Sequence, residues 1–244
     1  MDKIIYLSVI IPAYNEEELI QDTLLEVNDF LCKQKYNYEI IVVDDGSKDN
    51  TFFVSEDLKK EVKFLSTVKN NKNCGKGYSV RKGMLLAKGK RRLFMDADSS
   101  TSINQVNNFM PFLDNNYDLA IGDRRLKNSK ITKRQAFYKE TLGNIGNILI
   151  KTLIISDIND TQCGFKLFSG EFVEKFFPKL KINRWGFDIE ILAVADKFGY
   201  KIKTVPIVWK NREKSNVHLK DYFFTLLELF KIKINIIRKI YESK

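Results

Sequence analysis

YEIIVVDDGS, Tyr38 to Ser47, is the stretch on which the fold is read. Tyr38 to Val43 is a strand, and Asp44-Asp45-Gly46-Ser47 is the turn that ends it. Upstream, Leu7 to Pro12 (LSVIIP) is a continuous apolar run, as a strand buried on both faces requires. Between them, Asn15-Glu16-Glu17-Glu18 reads as an N-cap followed by an acidic first turn, opening a helix to about Lys33. Downstream, the spacing predicts a helix from about Asn50 to Lys60 and a strand over Val62 to Thr67. A helix opening at Gly75-Lys76-Gly77 and a strand over Arg92 to Met95 complete the half, which ends in Asp96-Ala97-Asp98. Strands alternating with helices of this length imply βαβ units and a mostly parallel sheet. The ligand crevice of such a sheet lies beyond the carboxyl ends of its strands. Tyr14-Asn15, Asp44-Asp45 and Asp96/Asp98 all fall at those ends, so three polar clusters converge on one crevice.

The second half is less regular. Strands are predicted over Asp118 to Gly122, Cys163 to Phe168 and Lys201 to Trp209, with helices over Leu142 to Ile155, Phe187 to Phe198 and Leu219 to Ile240. A basic segment runs from Arg124 to Lys139. Without an internal repeat or linker, the 244 residues read as one α/β domain over 1–215 and a C-terminal helix over 216–244.

Composition excludes several classes. A hydrophobic content of 44% with 30% charged residues is that of a globular chain, not a disordered one. No apolar stretch reaches the ~18–20 residues of a membrane-spanning helix, and no signal peptide is visible. Cys32, Cys74 and Cys163 form no CxxC pair, which points to a reducing, cytosolic compartment. His218 is the only histidine, excluding histidine-rich zinc sites. The net charge of +10 is uneven: after Asp196 there are twelve Lys and Arg against four Asp and Glu. Such a surface attracts anionic lipid or nucleic acid, but no nucleic-acid-binding motif accompanies the charge.

Asp96-Ala97-Asp98 offers carboxylate oxygens to a hard cation, Mg²⁺ or Mn²⁺, which would bridge to diphosphate oxygens. The bland alternative has Asp98, with Ser99 and Ser100, merely capping the next helix. Asp44 and Asp45 suit a base and ribose, although for DDGS taken alone an Asx-turn with the glycine at positive φ is the better reading. Gly75-Lys76-Gly77 lacks P-loop spacing, yet Lys76 and the helix start would suit phosphate.

Taken in order, SVIIPAYNEE (Ser8 to Glu17), VVDDGSKDNT (Val42 to Thr51), NCGKGYSVRKG (Asn73 to Gly83) and MDADSS (Met95 to Ser100) resemble the successive signatures of family 2 glycosyltransferases. Those enzymes have the GT-A fold, a nucleotide-binding α/β sandwich. DTQCGFKLF (Asp160 to Phe168) and RWGFDIEIL (Arg184 to Leu192) are similar to the branch that glucosylates dolichyl or other polyprenyl phosphates. The resemblance implies that Pro12, Tyr14 and Glu16 edge the nucleotide pocket and that Asp45 or Asp44 contacts the base. It implies Asp96 and Asp98 as metal ligands on the donor diphosphate, and counts Lys76 and Arg81 among the substrate-binding residues. Arg124, Arg134 and Lys166 would meet the acceptor phosphate, Asp160 and Gln162 the reacting sugar, and Asp188 would orient groups near the site. Two positions depart from the pattern: Ser100 stands where the mannosyl branch carries Gln, and Asp123 where a small residue is commoner.

The implied reaction is inverting transfer of glucose from UDP-glucose to a polyprenyl phosphate, by an enzyme peripheral on the cytoplasmic face of a membrane. Phe223, Leu226, Leu227, Phe230, Ile234 and Ile237 recur at helical spacing beside Lys231, Lys233, Arg238 and Lys239, which suits an anionic interface. Packing on the core or on another subunit is the alternative for that helix. A GDP-mannose-dependent enzyme is the nearest rival, and a catalytically silent nucleotide-sugar binder the rival of another class.

Overall fold

The computed structural model describes residues 4–133, 137–210 and 219–242. Arg134 of the basic segment lies outside the described residues.

The first half alternates as its sequence requires: β1 (Leu7–Ala13), α1 (Ile20–Leu31), β2 (Tyr38–Asp44), α2 (Thr51–Asp57), β3 (Leu65–Lys69), α3 (Lys76–Leu86) and β4 (Arg91–Met95). The second half runs α4 (Met110–Asp114), β5 (Leu119–Asp123), β6 (Lys130–Lys133), α5 (Phe137–Leu153), β7 (Phe165–Ser169), α6 (Gly170–Phe176), α7 (Phe187–Lys197), β8 (Ile202–Pro206), β9 (Val208–Lys210) and α8 (Leu219–Ile237). Seven strands form one sheet in the order β3-β2-β1-β4-β7-β5-β8, and β6 pairs with β9 in a second, two-stranded sheet.

Only β7 runs against its neighbours β4 and β5; the other pairings of the large sheet are parallel. This reversal matters for the site. The chain enters β7 at the edge where β4 and β5 leave it, Phe165 lying opposite Met95. The approach to β7, Asp160 to Gly164, therefore joins the crevice at the carboxyl ends.

Both faces of the sheet are covered. Along β1, Val9 and Ile11 pack with α1 residues Leu24 and Val27, while Ile10 packs on the other face with Val80 and Met84 of α3 and Ile189 of α7. Each such side chain, fully buried, contributes about 1.5–3 kcal/mol of transfer free energy. Leu229 and Ile232 join the second face, so α8 packs on α5 and α7.

Several boundaries differ from the sequence reading, α5 for instance starting at Phe137 and not Leu142, and three of the differences have a visible cause. Asn15 does not cap α1: it has φ +55°, its amide accepts from Lys48 N and its N–H donates to Ser47 Oγ. Glu17 likewise receives Asn50 N, so this acidic stretch ties two loops together and α1 starts later, at Ile20. β3 starts at Leu65 because Phe64, at φ +56°, breaks the extended backbone. Lys201 to Trp209 divides after Pro206, giving one strand to each sheet.

Candidate active site

Asp96 and Asp98 stand just past β4, where the loop is held firmly. Asp96 N donates to Gly164 O, Thr23 Oγ1 to Ala97 O, and the hydroxyls of Ser99 and Ser102 both reach Glu26 of α1. Gly164 is obligatory: a Cβ there would sit 1.9 Å from Asp96 Oδ2. Asp98 accepts from Ser100 N and Ser100 Oγ at 2.9 and 2.7 Å, which closes a local turn; the helical turn that follows begins at Ile103 with Ser102 at its N-cap, so Asp98 does not cap it as the bland reading had it. That leaves its remaining lone pairs for another partner. Lys76, the first residue of α3, places Nζ 2.6 Å from Asp96 Oδ1. The ion pair is poorly aligned, since Oδ1 is buried without a proper hydrogen-bond donor.

The local electrostatics are those of crowded carboxylates. Burial, then Asp96, pushes the Asp98 carboxyl up. Burial, then Asp98 and Asp96, pushes Glu16 to about 7. Burial works to lower the Lys76 amine, but Asp96 and Asp188 outweigh it and hold it up. A hard divalent cation fits this donor set: oxygen ligands and excess negative charge, with a carboxylate oxygen of Asp96 that meets only the misaligned Lys76 amine. Among the described residues no three acidic, His or Cys side chains form a ready-made cage. Further ligands therefore have to come from a bound molecule or water.

Glu16 carries a pH signature in metal-free protein. Its folded pKa lies above the unfolded one, so the folded chain binds more protons between about pH 4.5 and 7. Its contribution to stability is greatest below that window and is lost as pH rises through about 7. Glu16→Gln is expected to flatten this part of the pH–Tm curve in EDTA; an unaltered curve would show that Glu16 titrates normally.

The wall at β1 and β2 uses its acids internally. Asp44 is buried and its carboxylate accepts from Ser47 N, three residues on, closing the turn after β2. Asp45, also buried, accepts from Asn70 Nδ2, Cys74 N and Gly75 N, tying β2 to the start of α3. Gly46, at φ +70°, packs against the Lys72 backbone where a Cβ would come within 2.5 Å. Pro12 is buried at the end of β1, and Tyr14, just past that strand, is half-buried. Arg81 departs from its expected place on a substrate: its guanidinium donates to Leu180 O and Asn183 Oδ1. It pins the loop before α7, because that loop passes directly over α3.

On the β5–β7 side, Arg124 grips Asp160 with Nε at 2.6 Å and a terminal nitrogen at 2.8 Å, and lies 5.3 Å from the Trp209 ring. Burial would raise the Asp160 carboxyl, but Arg124 outweighs it and holds it below the usual carboxylate range. Gln162 is exposed on the same approach to β7. Lys166 requires a correction. It is 0% exposed, and its amine donates to Asp188 Oδ1 at 2.6 Å and to Cys163 O. A side chain so enclosed holds the Cys163–Gly164 backbone in place and does not face an acceptor phosphate. Asp188 thus holds Lys166, and through it the Cys163 backbone.

Sequence reasoning overlooked Glu26, Gly164, Trp185 and Trp209. The pairing of Ser99 and Ser102 with Glu26 spans more than seventy residues and leaves no local signal. Gly164 was visible within the CGF triplet, though its purpose was not.

Residues 8–177 match the profile of Glycosyl transferase family 2. The chain belongs to that family. Over 240 residues it is 38% identical to a dolichyl-phosphate beta-glucosyltransferase of Dictyostelium discoideum, covering 93% of this chain and 72% of that one. Among solved structures it resembles mannosyl-3-phosphoglycerate synthase from Rubrobacter xylanophilus, with a TM-score of 0.71 at 16% identity over 98% of this chain and 76% of the other. It also resembles glucosyl-3-phosphoglycerate synthase from Mycobacterium tuberculosis, solved with Mn²⁺, UDP and glucosyl-3-phosphoglycerate. There the TM-score is 0.64 at 18% identity, over 94% and 79% of the two chains. As a family 2 member this chain is a glycosyltransferase with the GT-A fold.

Proposed function

We propose that this family 2 enzyme transfers glucose from UDP-glucose to the phosphate of a polyprenyl chain lying in a membrane, with inversion at the anomeric carbon. The observation that supports this reading most is the 38% identity, over 93% of this chain and 72% of the other, to the dolichyl-phosphate beta-glucosyltransferase. The geometry fits it. Asp96 and Asp98 would hold Mg²⁺ or Mn²⁺, which when bound supplies Lewis-acid stabilisation of the departing diphosphate. Pro12, Tyr14 and Glu16 edge the nucleotide, with Asp44 and Asp45 shaping the base-binding wall, and Lys76 is released to phosphate oxygen.

An acceptor phosphate monoester has a second pKa near ~6 and is largely dianionic at neutral pH. A strong general base is then unnecessary. That agrees with Asp160, which Arg124 keeps ionised and hydrogen-bonded, so its work is to hold the guanidinium in place. The outer face of Arg124 is left for the acceptor, and Gln162 for sugar hydroxyls. Incubation with UDP-glucose or GDP-mannose in parallel, with the same short polyprenyl phosphate, tests the donor. UDP-glucose is expected to be turned over the faster, and a preference for GDP-mannose would replace this reading by the mannosyl one.

The terminal helix supports a membrane-surface location. Among the described residues no helix is long and apolar enough to cross a membrane. Yet α8 is apolar on two sides. Leu229 and Ile232 are buried, while Phe223, Leu227, Phe230, Ile234 and Ile237 remain exposed in one stripe. Exposed Lys231 and Arg238 border this stripe on one side and Lys233 on the other. Leu226 departs from the expected lipid face and packs on the core. We assign residues 1–215 to catalysis and 216–244 to a helix lying in the cytoplasmic interface. Replacing Phe223, Phe230 and Ile237 together by Ser is expected to abolish sedimentation with anionic vesicles. The Tm should hardly change, because these side chains are already in water. Lys231→Gln with Arg238→Gln should weaken binding by about 1 kcal/mol per charge removed. Unchanged vesicle binding in the triple variant would contradict the interfacial assignment.

A further inference from the structure

The exposed stripe and the catalytic centre are joined by one short loop, residues 180–186, and the joints are hydrogen bonds from α8 and its C-terminal turn. Glu228, on the inward side of α8, accepts from Gly186 N with Oε2 at 2.8 Å. The fit is close, since a Cβ on Gly186 would lie 2.9 Å from that oxygen. Two residues before Gly186, Arg184 lies 5.0 Å from the Phe224 ring of the same helix. Beyond α8, buried Tyr241 donates its hydroxyl to Glu190, which also accepts Lys181 N and Ile182 N at the far end of the loop.

The other side of the loop belongs to the site. Asn183 O accepts Tyr78 N, Arg81 holds Leu180 O and Asn183 Oδ1, and the Trp185 ring lies 5.2 Å from Lys76 Nζ. That amine is paired with Asp96. Four steps therefore connect α8 to the carboxylate motif: Glu228, Gly186, Trp185, Lys76.

From this path we propose that Glu228 is a positioning residue for transfer, holding Trp185 against Lys76 through the Gly186 N–H, so that the helix carrying the exposed apolar stripe also sets the geometry of the donor site. The proposal rests on the functional reading above, and goes beyond it by giving α8 a task besides anchoring. The carboxylate does not touch a reacting group. It fixes the backbone on which Trp185 is carried, immediately before α7 begins at Phe187.

The test removes the membrane from the readout. Glu228→Ala and Glu228→Gln are assayed without vesicles, on a short water-soluble polyprenyl phosphate. Because the chain has only two tryptophans, Trp185 and Trp209, the same substitutions in a Trp209→Phe background let acrylamide quenching report on Trp185 alone. Glu228→Ala is expected to lower kcat about 10- to 100-fold, as displacement of a supporting element does, with a smaller change in acceptor KM. Trp185 should become more accessible to quencher in the same variant. Glu228→Gln keeps an acceptor oxygen for Gly186 and should retain most activity and the original quenching. Should Glu228→Ala fail to fold, Glu228→Asp, which withdraws the carboxylate from Gly186, is expected to show the same losses. Wild-type kcat and quenching in Glu228→Ala overturn the proposal, as does Glu228→Gln losing activity as fully as Glu228→Ala. If the unaltered chain transfers no sugar, the functional reading fails, while the quenching comparison still decides whether Glu228 positions Trp185.

Discussion

Asp96→Asn is expected to lower kcat/KM by about a thousandfold or more, the loss that follows when charge developing on a leaving group is no longer stabilised. The fold should survive. The Asp96 side chain is 30% exposed and its ion pair with Lys76 is partly solvated, so removing the charge leaves no buried ion stranded. Lys76 retains Asp188 and Asp98 nearby to offset its charge. Asp98→Asn should cost as much activity and somewhat more stability, about 1 kcal/mol, because its carboxylate also receives both Ser100 donors. Mn²⁺ binding followed by electron paramagnetic resonance should weaken in both variants, a readout independent of turnover. Full activity of either variant at limiting Mn²⁺ would remove the metal assignment.

Arg124→Ala is expected to be severe for a different reason. Asp160 has a side-chain exposure of only 4% and depends on the guanidinium for two charged hydrogen bonds. Removing one partner of a buried pair strands the other, typically at a cost of about 3–5 kcal/mol. For a chain of this size that is a fall in Tm of roughly 6–20 °C. The wild-type pair works in the opposite sense from Glu16. Arg124 depresses the Asp160 pKa, so its stabilisation is present above the ordinary carboxylate pKa and is lost as pH falls through the lowered value. Arg124→Ala should therefore lose most stability near neutral pH and less in acid. Arg124→Ala combined with Asp160→Asn should recover much of the loss in Tm, while remaining inactive. A single variant as stable as wild type would contradict the buried-pair account. An acceptor KM measured on Arg124→Ala alone would mix this structural loss with any lost phosphate contact.

The strand-end acids were legible because a parallel sheet exposes its carboxyl ends, and β1, β2 and β4 announce themselves as apolar runs ending in polar turns. What sequence could not supply was direction and depth. Cys163 to Phe168 reads as a strand either way round, and only its antiparallel pairing with Met95 brings Asp160, Gln162 and Gly164 to the crevice. Lys166 carries a charge and so suggests a surface. Its neighbours Phe165 and Leu167 face one core and Lys166 the other, where Asp188 makes burial tolerable. The six apolar residues of α8 share one period, so no pattern separates Leu226, which packs inward, from its exposed neighbours. Glu228 and Tyr241 gave no signal at all, because their partners, Gly186 and Glu190, lie more than forty residues away.

The central claim is that sugar passes to a phosphate on a polyprenyl chain. Its most direct measurement is partition of radiolabel into the organic phase after incubation with labelled UDP-glucose and Mn²⁺. Polyprenyl phosphate and the corresponding unphosphorylated polyprenol are compared as acceptors. Label is expected in the organic phase with polyprenyl phosphate only, and EDTA or Asp96→Asn should abolish it. Equal labelling of the free alcohol, or UDP release with no label on the lipid phosphate, would contradict the account.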